Sequence, residues 1–183
     1  VLWDVEVQAD GQPVCVDGGI LMATTSGSMR LIDSELGDIR KSYGGFESIR
    51  TPALPLNGEY AWVERDGVLL TNDTQNGPML QGPVSDGASD GKNIFIGNIY
   101  GDAVAINQEG VSWQARLPGP ITGQPVVQTK QVFWPFGVRQ NRSGGIAALD
   151  ATSGEIRWTT PFGPGTSAPP SVGGFLIVPS RDG

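Results

Sequence analysis

The eleven residues Ala148-Leu149-Asp150-Ala151-Thr152-Ser153-Gly154-Glu155-Ile156-Arg157-Trp158 constrain this chain more than any other feature, because the phrase returns along the sequence in eroded form. Ala105 to Trp113 repeats it two residues shorter, with Gly110 ahead of the tryptophan. Leu31 to Lys41 keeps an aspartate, Asp33, and a glycine, Gly37, at the same spacing but ends on Lys41. A weaker copy around Asp73 puts Gln81 at the tryptophan position, and the chain opens on the phrase's last letters, Val1-Leu2-Trp3. Such a chain folds as a row of like units, each unable to bury its faces without a neighbour.

A second phrase lies upstream of the first. Gly11-Gln12-Pro13-Val14 and Gly123-Gln124-Pro125-Val126 are identical and 112 residues apart. With Thr51-Pro52, Gly82-Pro83 and Ala168-Pro169, successive prolines stand 39, 31, 42 and 44 residues apart. Turn signals and apolar runs follow, as Asn57-Gly58 before Tyr60-Ala61-Trp62 and Asp90-Gly91 before Ile94-Phe95-Ile96. A period near 40 with several short strands in each unit predicts an all-β fold, a β-propeller of four-stranded antiparallel blades. Blades are expected at about residues 11–43, 51–81, 82–116 and 123–160, with parts of another at 166–183 and 1–8. Four blades plus parts of a fifth, with no initiator Met and no leader pattern, suggest a single propeller region cut from a larger ring.

The physics of one unit accounts for its residue types. Proline at the head of a first strand removes no central ladder bond. Asp-Gly and Gly-Gly supply the positive φ of tight hairpins. Continuous apolar runs suit central strands covered on both faces. The aspartate of the phrase accepts turn N–H groups. Its tryptophan takes a large apolar surface into the seam between blades, with an N–H that needs an acceptor. Trp3, Gly110, Trp113, Asp150, Gly154 and Trp158 are the expected structural docking residues.

The pattern Ala-x-Asp-x-x-Ser-Gly-x-x-x-Trp at residues 148–158 resembles the tryptophan-docking repeat of PQQ-like, or quinoprotein-like, β-propellers, with Ser153 in place of the usual Thr. The resemblance spans essentially the whole chain. That family holds PQQ-dependent alcohol dehydrogenases and many cofactor-free relatives, among them a scaffold lipoprotein of the outer-membrane β-barrel assembly machine. The resemblance is closest to the non-catalytic scaffolds, and it implies an exported protein (periplasmic, extracellular or cell-surface) with no cofactor. A PQQ enzyme would require a tryptophan platform under the quinone, a Ca²⁺ held by Glu, Asn and Asp, a basic Asp and an adjacent cysteine pair. This chain has one cysteine, Cys15.

Composition narrows the function classes. A net charge of −7 argues against nucleic acid as a partner, since phosphate binding needs a basic face. With no histidine, Ser-His and Cys-His nucleophiles are excluded, as is any histidine-built metal site. No run approaches the roughly 18 apolar residues of a helical membrane span. Cys15, between Val14 and Val16, reads as a buried strand position. Asp86 to Gly91 resembles a calcium loop only faintly, with Ala88 and Gly97 at positions where an EF-hand needs ligands, and is expected to form hairpin turns instead.

The longest departure from the repeat is an insertion, Gly137 to Gly144. Function on repeat scaffolds sits on such loops. Arg139 and Arg142 are therefore candidate contacts to an acidic protein partner, with Trp134 and Phe136 as an aromatic anchor beside them. The expected function is a non-catalytic scaffold for protein partners, a subunit of a larger assembly. Two alternatives stand beside it: a carbohydrate-binding propeller using Trp62 or Trp134 on glycans, and a piece of a PQQ-dependent dehydrogenase.

Overall fold

The computed structural model describes residues 3–44, 49–64, 67–71, 75–78, 80–138, 143–162, 171–173 and 175–178. Strands β1 (Val14–Val16), β2 (Gly19–Ala23), β3 (Ser28–Asp33) and β4 (Ile39–Gly44) form the first sheet. The second holds β5 (Leu54–Leu56), β6 (Glu59–Val63), β7 (Val68–Thr71) and β8 (Gln75–Pro78). The third holds β9 (Ala88–Ser89), β10 (Ile94–Gly97), β11 (Asp102–Asn107) and β12 (Gly110–Arg116). The fourth holds β13 (Val126–Gln128), β14 (Gln131–Val138), β15 (Ser143–Asp150) and β16 (Ile156–Phe162), and a two-stranded sheet of β17 (Ser171–Gly173) and β18 (Phe175–Ile177) follows. Every pair is antiparallel and joins sequence neighbours, so each sheet is a meander, the blade of a β-propeller. Among the described residues there is no helix long and apolar enough to cross a membrane.

The core lies between blades, not within one. Successive side chains of a strand point to opposite faces. Ile94 and Ile96 of β10 and Val104 and Ile106 of β11 thus meet Leu54, Leu56 and Val63 of the second blade. Their alternates Phe95, Ala103 and Ala105 meet Trp134, Ala147 and Leu149 of the fourth. The first seam buries Leu21, Ala23 and Met29 against Ile49, Ala53 and Trp62. The same alternation corrects the reading of Cys15. Val14 and Val16 pack onto the first seam, which turns Cys15 to the other face of β1, where it is exposed.

Each blade carries one β-bulge at one place. The ladder between third and fourth strands shifts at Leu31/Ile32, Val68/Leu69, Ala105/Ile106 and Ala148/Leu149. The residue after the bulge pairs as Leu31↔Lys41, Val68↔Pro78, Ala105↔Trp113 and Ala148↔Trp158. Pro78, and not Gln81, therefore holds the tryptophan position in the second blade, and Leu70 stands where Asp33 and Asp150 stand; Asp73 lies outside the described residues.

The docking residues divide into two groups. The Trp113 Nε1–H donates to the Ala151 carbonyl at 2.9 Å, and its ring lies on Gly154, where an added Cβ would come within 2.6 Å of it. Trp3 repeats this on the first blade, donating to the Ser34 carbonyl at 3.0 Å above Gly37. Gly110, by contrast, has nothing within 4 Å of a Cβ among the described residues, and the preceding blade holds Pro78 at the register of the tryptophan. Trp158 leans on Phe133 with ring centroids 5.9 Å apart, remains 39% exposed, and finds no acceptor for its N–H among the described residues.

Candidate functional site

The first strands of the four blades begin alike. Single bridges join Ala9 to Thr24, Ile49 to Glu64, Val84 to Asn98 and Ile121 to Phe136. The ladders then open on Val14↔Leu21, Leu54↔Ala61, Ala88↔Phe95 and Val126↔Phe133. Gln12, Pro52, Asp86 and Gln124 each stand two residues before those openings, so they are one position in four blades. Pro13 and Pro52 are consequently one place out of step, and Pro83 lies three residues before Asp86, so the proline spacing is only an approximate measure of the repeat. All four equivalent residues line one cavity of about 310 Å³, together with Asp10 and Arg50. A cavity lined by the segments that lead into the first strands of all four four-stranded blades lies at the centre of the arc.

Cross-blade bonds fix its walls. Gln124 Nε2 donates to the Gly87 carbonyl at 2.8 Å, tying the fourth blade to the third. Arg50 Nε donates to the Val84 carbonyl at 3.1 Å, and its Nη2 stands 3.7 Å from Asp86 Oδ1, tying the second blade to the third. Both members of that ion pair are about half exposed, so it orients more than it stabilises. Thr51 is buried and accepts the Val63 N–H at 2.9 Å through Oγ1.

The hairpins between second and third strands rise at the same end, since the bridging residues Thr24, Glu64, Asn98 and Phe136 lead into them. In the third blade Asn98 is fully buried and organises the turn. Its Oδ1 accepts the N–H groups of Tyr100 and Asp102, and its Nδ2 donates to the Gln81 carbonyl and to Asp102 Oδ2, each at 2.9 Å. Burial works to raise the Asp102 carboxyl, but the Asn98 amide and the Arg116 guanidinium outweigh it and hold it below the usual value. This rigid turn displays Ile99 and Tyr100, the latter 53% exposed with its ring against Gly82.

Trp134 and Phe136 are a correction to the sequence reading. They are 0% and 5% exposed inside the seam between third and fourth blades, so neither side chain reaches a partner. Trp62 is also 0% exposed, which removes both proposed sugar platforms. Arg139 and Arg142 lie outside the described residues. The cavity was missed because its residues read as strand starts; the identical Gly-Gln-Pro-Val tetrapeptides were the available signal, and both glutamines line it. Among the described residues its lining holds no aromatic side chain and no cysteine, so these residues offer no platform for a stacked quinone. Among the described residues no three acidic or cysteine side chains group as metal ligands.

Comparison with known proteins bears on the fold and the family. A search of curated proteins gives no match. The structure is similar to BamB from Moraxella catarrhalis, with a TM-score of 0.64 and 18% identity, over 87% of this chain and 52% of that one. It is also similar to the hydrazine synthase of Kuenenia stuttgartiensis, with a TM-score of 0.65 and 9% identity, over 80% of this chain and 46% of that one. The chain thus spans about half the length of either solved protein, and identities this low speak to fold alone. The family model described as outer membrane protein assembly factor BamB matches residues 55–179, covering the second, third and fourth blades and β17–β18. With four bulged, meandering blades and that match over most of its length, the chain belongs to the BamB family of PQQ-like β-propellers.

Proposed function

We propose that this chain is a non-catalytic scaffold of an exported assembly that handles outer membrane proteins, and that its protein partner docks on the end of the propeller where the central cavity opens. The observation that supports this most is the family match over residues 55–179. Two structural features agree with it. Blades are occupied with seam packing, with the indoles of Trp3 and Trp113 proposed as the locks between neighbours, which leaves hairpins and the cavity mouth for recognition. The Asn98-braced turn also presents an exposed tyrosine and isoleucine without further ordering, the kind of rigid aromatic anchor that dominates interfaces. The likeness to hydrazine synthase is one of fold and transfers no chemistry.

A photo-crosslinking residue tests the reading when placed at Tyr100, and separately at Thr152 on the third-to-fourth-strand turn at the opposite end, in cells producing the full-length protein. The expected outcome is a discrete protein adduct from Tyr100 and none from Thr152. Equal labelling from both positions, or none from Tyr100, removes the proposal.

A further inference from the structure

We infer that the central cavity receives one arginine side chain of the partner protein, held by the carboxylates of Asp10 and Asp86 and the amide oxygens of Gln12 and Gln124. The inference deepens the scaffold reading and rests on it, since it names the chemistry by which that partner is gripped.

The argument starts from the hydrogen-bonding capacity of the lining. Gln124 commits its amide nitrogen to the Gly87 carbonyl, so its oxygen is the function left for a ligand. Arg50 commits Nε to the Val84 carbonyl. The side chains of Asp10 and Gln12 make no bond to any described residue, and Asp86 has only the distant Arg50 contact at 3.7 Å. The Gln12 amide nitrogen and the Nη groups of Arg50 remain as donors, yet Asp10, Asp86, Gln12 and Gln124 bring six side-chain oxygens to the lining, four of them from charged carboxylates, so a cationic ligand rich in N–H groups suits it best. Guanidinium offers five in a fixed plane and no acceptor, against three on the compact ammonium of lysine. Formal charge points the same way. Two carboxylates face one guanidinium in the lining, and the whole chain carries −7, which draws a cationic segment toward it.

Size and sequence add independent support. A cavity of about 310 Å³ sits at the bottom of the range for ligand sites, roughly 300–1,000 Å³, and suits one long side chain better than a folded element. In the repeated tetrapeptide, the glycine and proline have backbone roles: Gly11 takes φ +104°, and the prolines precede the first strands. Gln12 has no such role, and it meets its counterpart Gln124 in one cavity although 112 residues separate them. Arg50 opposes an incoming cation, and it does so from one wall, already drawn toward Asp86.

The test uses the full chain with three blocked pentapeptides, Gly-Gly-X-Gly-Gly with X as Arg, Lys or Glu, titrated at low salt. The side-chain amide resonances of Gln12 and Gln124 are followed by NMR. The arginine peptide is expected to shift both saturably, the lysine peptide to bind several-fold more weakly, and the glutamate peptide to leave both unmoved. The double variant Asp10→Asn with Asp86→Asn should weaken the arginine peptide about tenfold, the scale of charge-assisted bonds lost. Arg50→Gln should tighten it. Shifts of equal size from the arginine and glutamate peptides, no saturable shift at either glutamine, or full binding by the double Asn variant each overturn the inference. A Tyr100 adduct without arginine-peptide binding would remove only the arginine site and leave the scaffold. Peptide binding without an adduct would remove the scaffold reading.

Discussion

At Gly154 a backbone requirement and a packing requirement coincide. The residue closes the turn after β15 with φ +72°, its N–H donates to the Asp150 carbonyl, and the Trp113 ring occupies the space a side chain would take. Gly110 has the positive φ, +123°, without the ring. Both positions carry positive-φ strain, Gly154 in the left-handed region and Gly110 beyond it, and only Gly154 adds a steric conflict. Gly110→Ala is expected to cost about 1–3 kcal/mol, the strain of an L side chain at a φ that is nearly glycine-only. Gly154→Ala combines about 1 kcal/mol of left-handed strain with displacement of the packed Trp113 indole, about 2 kcal/mol more. Urea unfolding of Gly154→Ala checks this, and a loss of only about 1 kcal/mol would mean the indole yields freely. Residue identity made Gly154 readable, because Asp150, Gly154 and Trp158 form one phrase. It misplaced Trp134, because an apolar run beside a loop reads as a surface anchor until strand pairing shows both faces of β14 covered.

The turn between third and fourth strands behaves as a unit across blades. Asp33 Oδ1 accepts the N–H groups of Glu35 and Leu36, and Asp150 Oδ1 accepts those of Thr152 and Ser153. Across each bulge an arginine returns to the aspartate: Arg40 pairs with Asp33, and Arg157 with Asp150 at 2.9 Å. The bulge residue is in each case the arginine, so the extra residue is what aims the guanidinium back at the turn. Arg157, followed by the Ser153 and Thr152 N–H groups, lowers the Asp150 carboxyl from 3.8 to about 2. The Leu36 and Glu35 N–H groups, with Arg40, lower Asp33 as well. A carboxylate depressed on folding adds stability above its unfolded value, and that stability is lost as pH falls through the folded value. Stability is therefore expected to decline between about pH 4 and pH 2. In Arg157→Gln the Asp150 carboxyl should titrate higher than about 2 yet still below 3.8, since both turn N–H bonds remain. Carboxyl NMR titration decides it, and an unmoved Asp150 would discount the arginine. The aspartate-to-glycine spacing made these turns legible in the first and fourth blades. It failed in the second, where Leu70 and Pro78 hold the aspartate and tryptophan positions, because register is set by pairing partners and not by residue type.

For the whole molecule, the blade period was legible and the point of convergence was not. Recurrence along a sequence says that Gln12 and Gln124 are alike; only the closing arc brings them to one cavity. The same geometry makes the molecule a chain of seams, each touching only its neighbours, and the seams differ. The third uses Trp113 from an outer strand, locked on Ala151 and Gly154. The first has no outer-strand indole. Its fourth strand carries Lys41 and Tyr43, and the filling comes from Trp62 on β6, 0% exposed and 5.6 Å from the Tyr43 ring. The Trp62 Nε1–H finds no acceptor among the described residues, so its side chain serves this seam by apolar packing. Stacked repeats gain stability from nearest-neighbour interfaces and open locally. Trp62→Ala should therefore cost about 3–5 kcal/mol, and the loss should stay near the seam it fills. In native-state hydrogen exchange, amides of β2, β3 and β6 are expected to lose protection, while β14 and β15, whose seam lies two beyond, retain theirs. The cluster shared by β10, β11, β14 and β15 does not include Trp62, which is why it should persist. A uniform loss of protection across all four blades would show that the arc unfolds as a single cooperative body, and the description by independent seams would have to be given up.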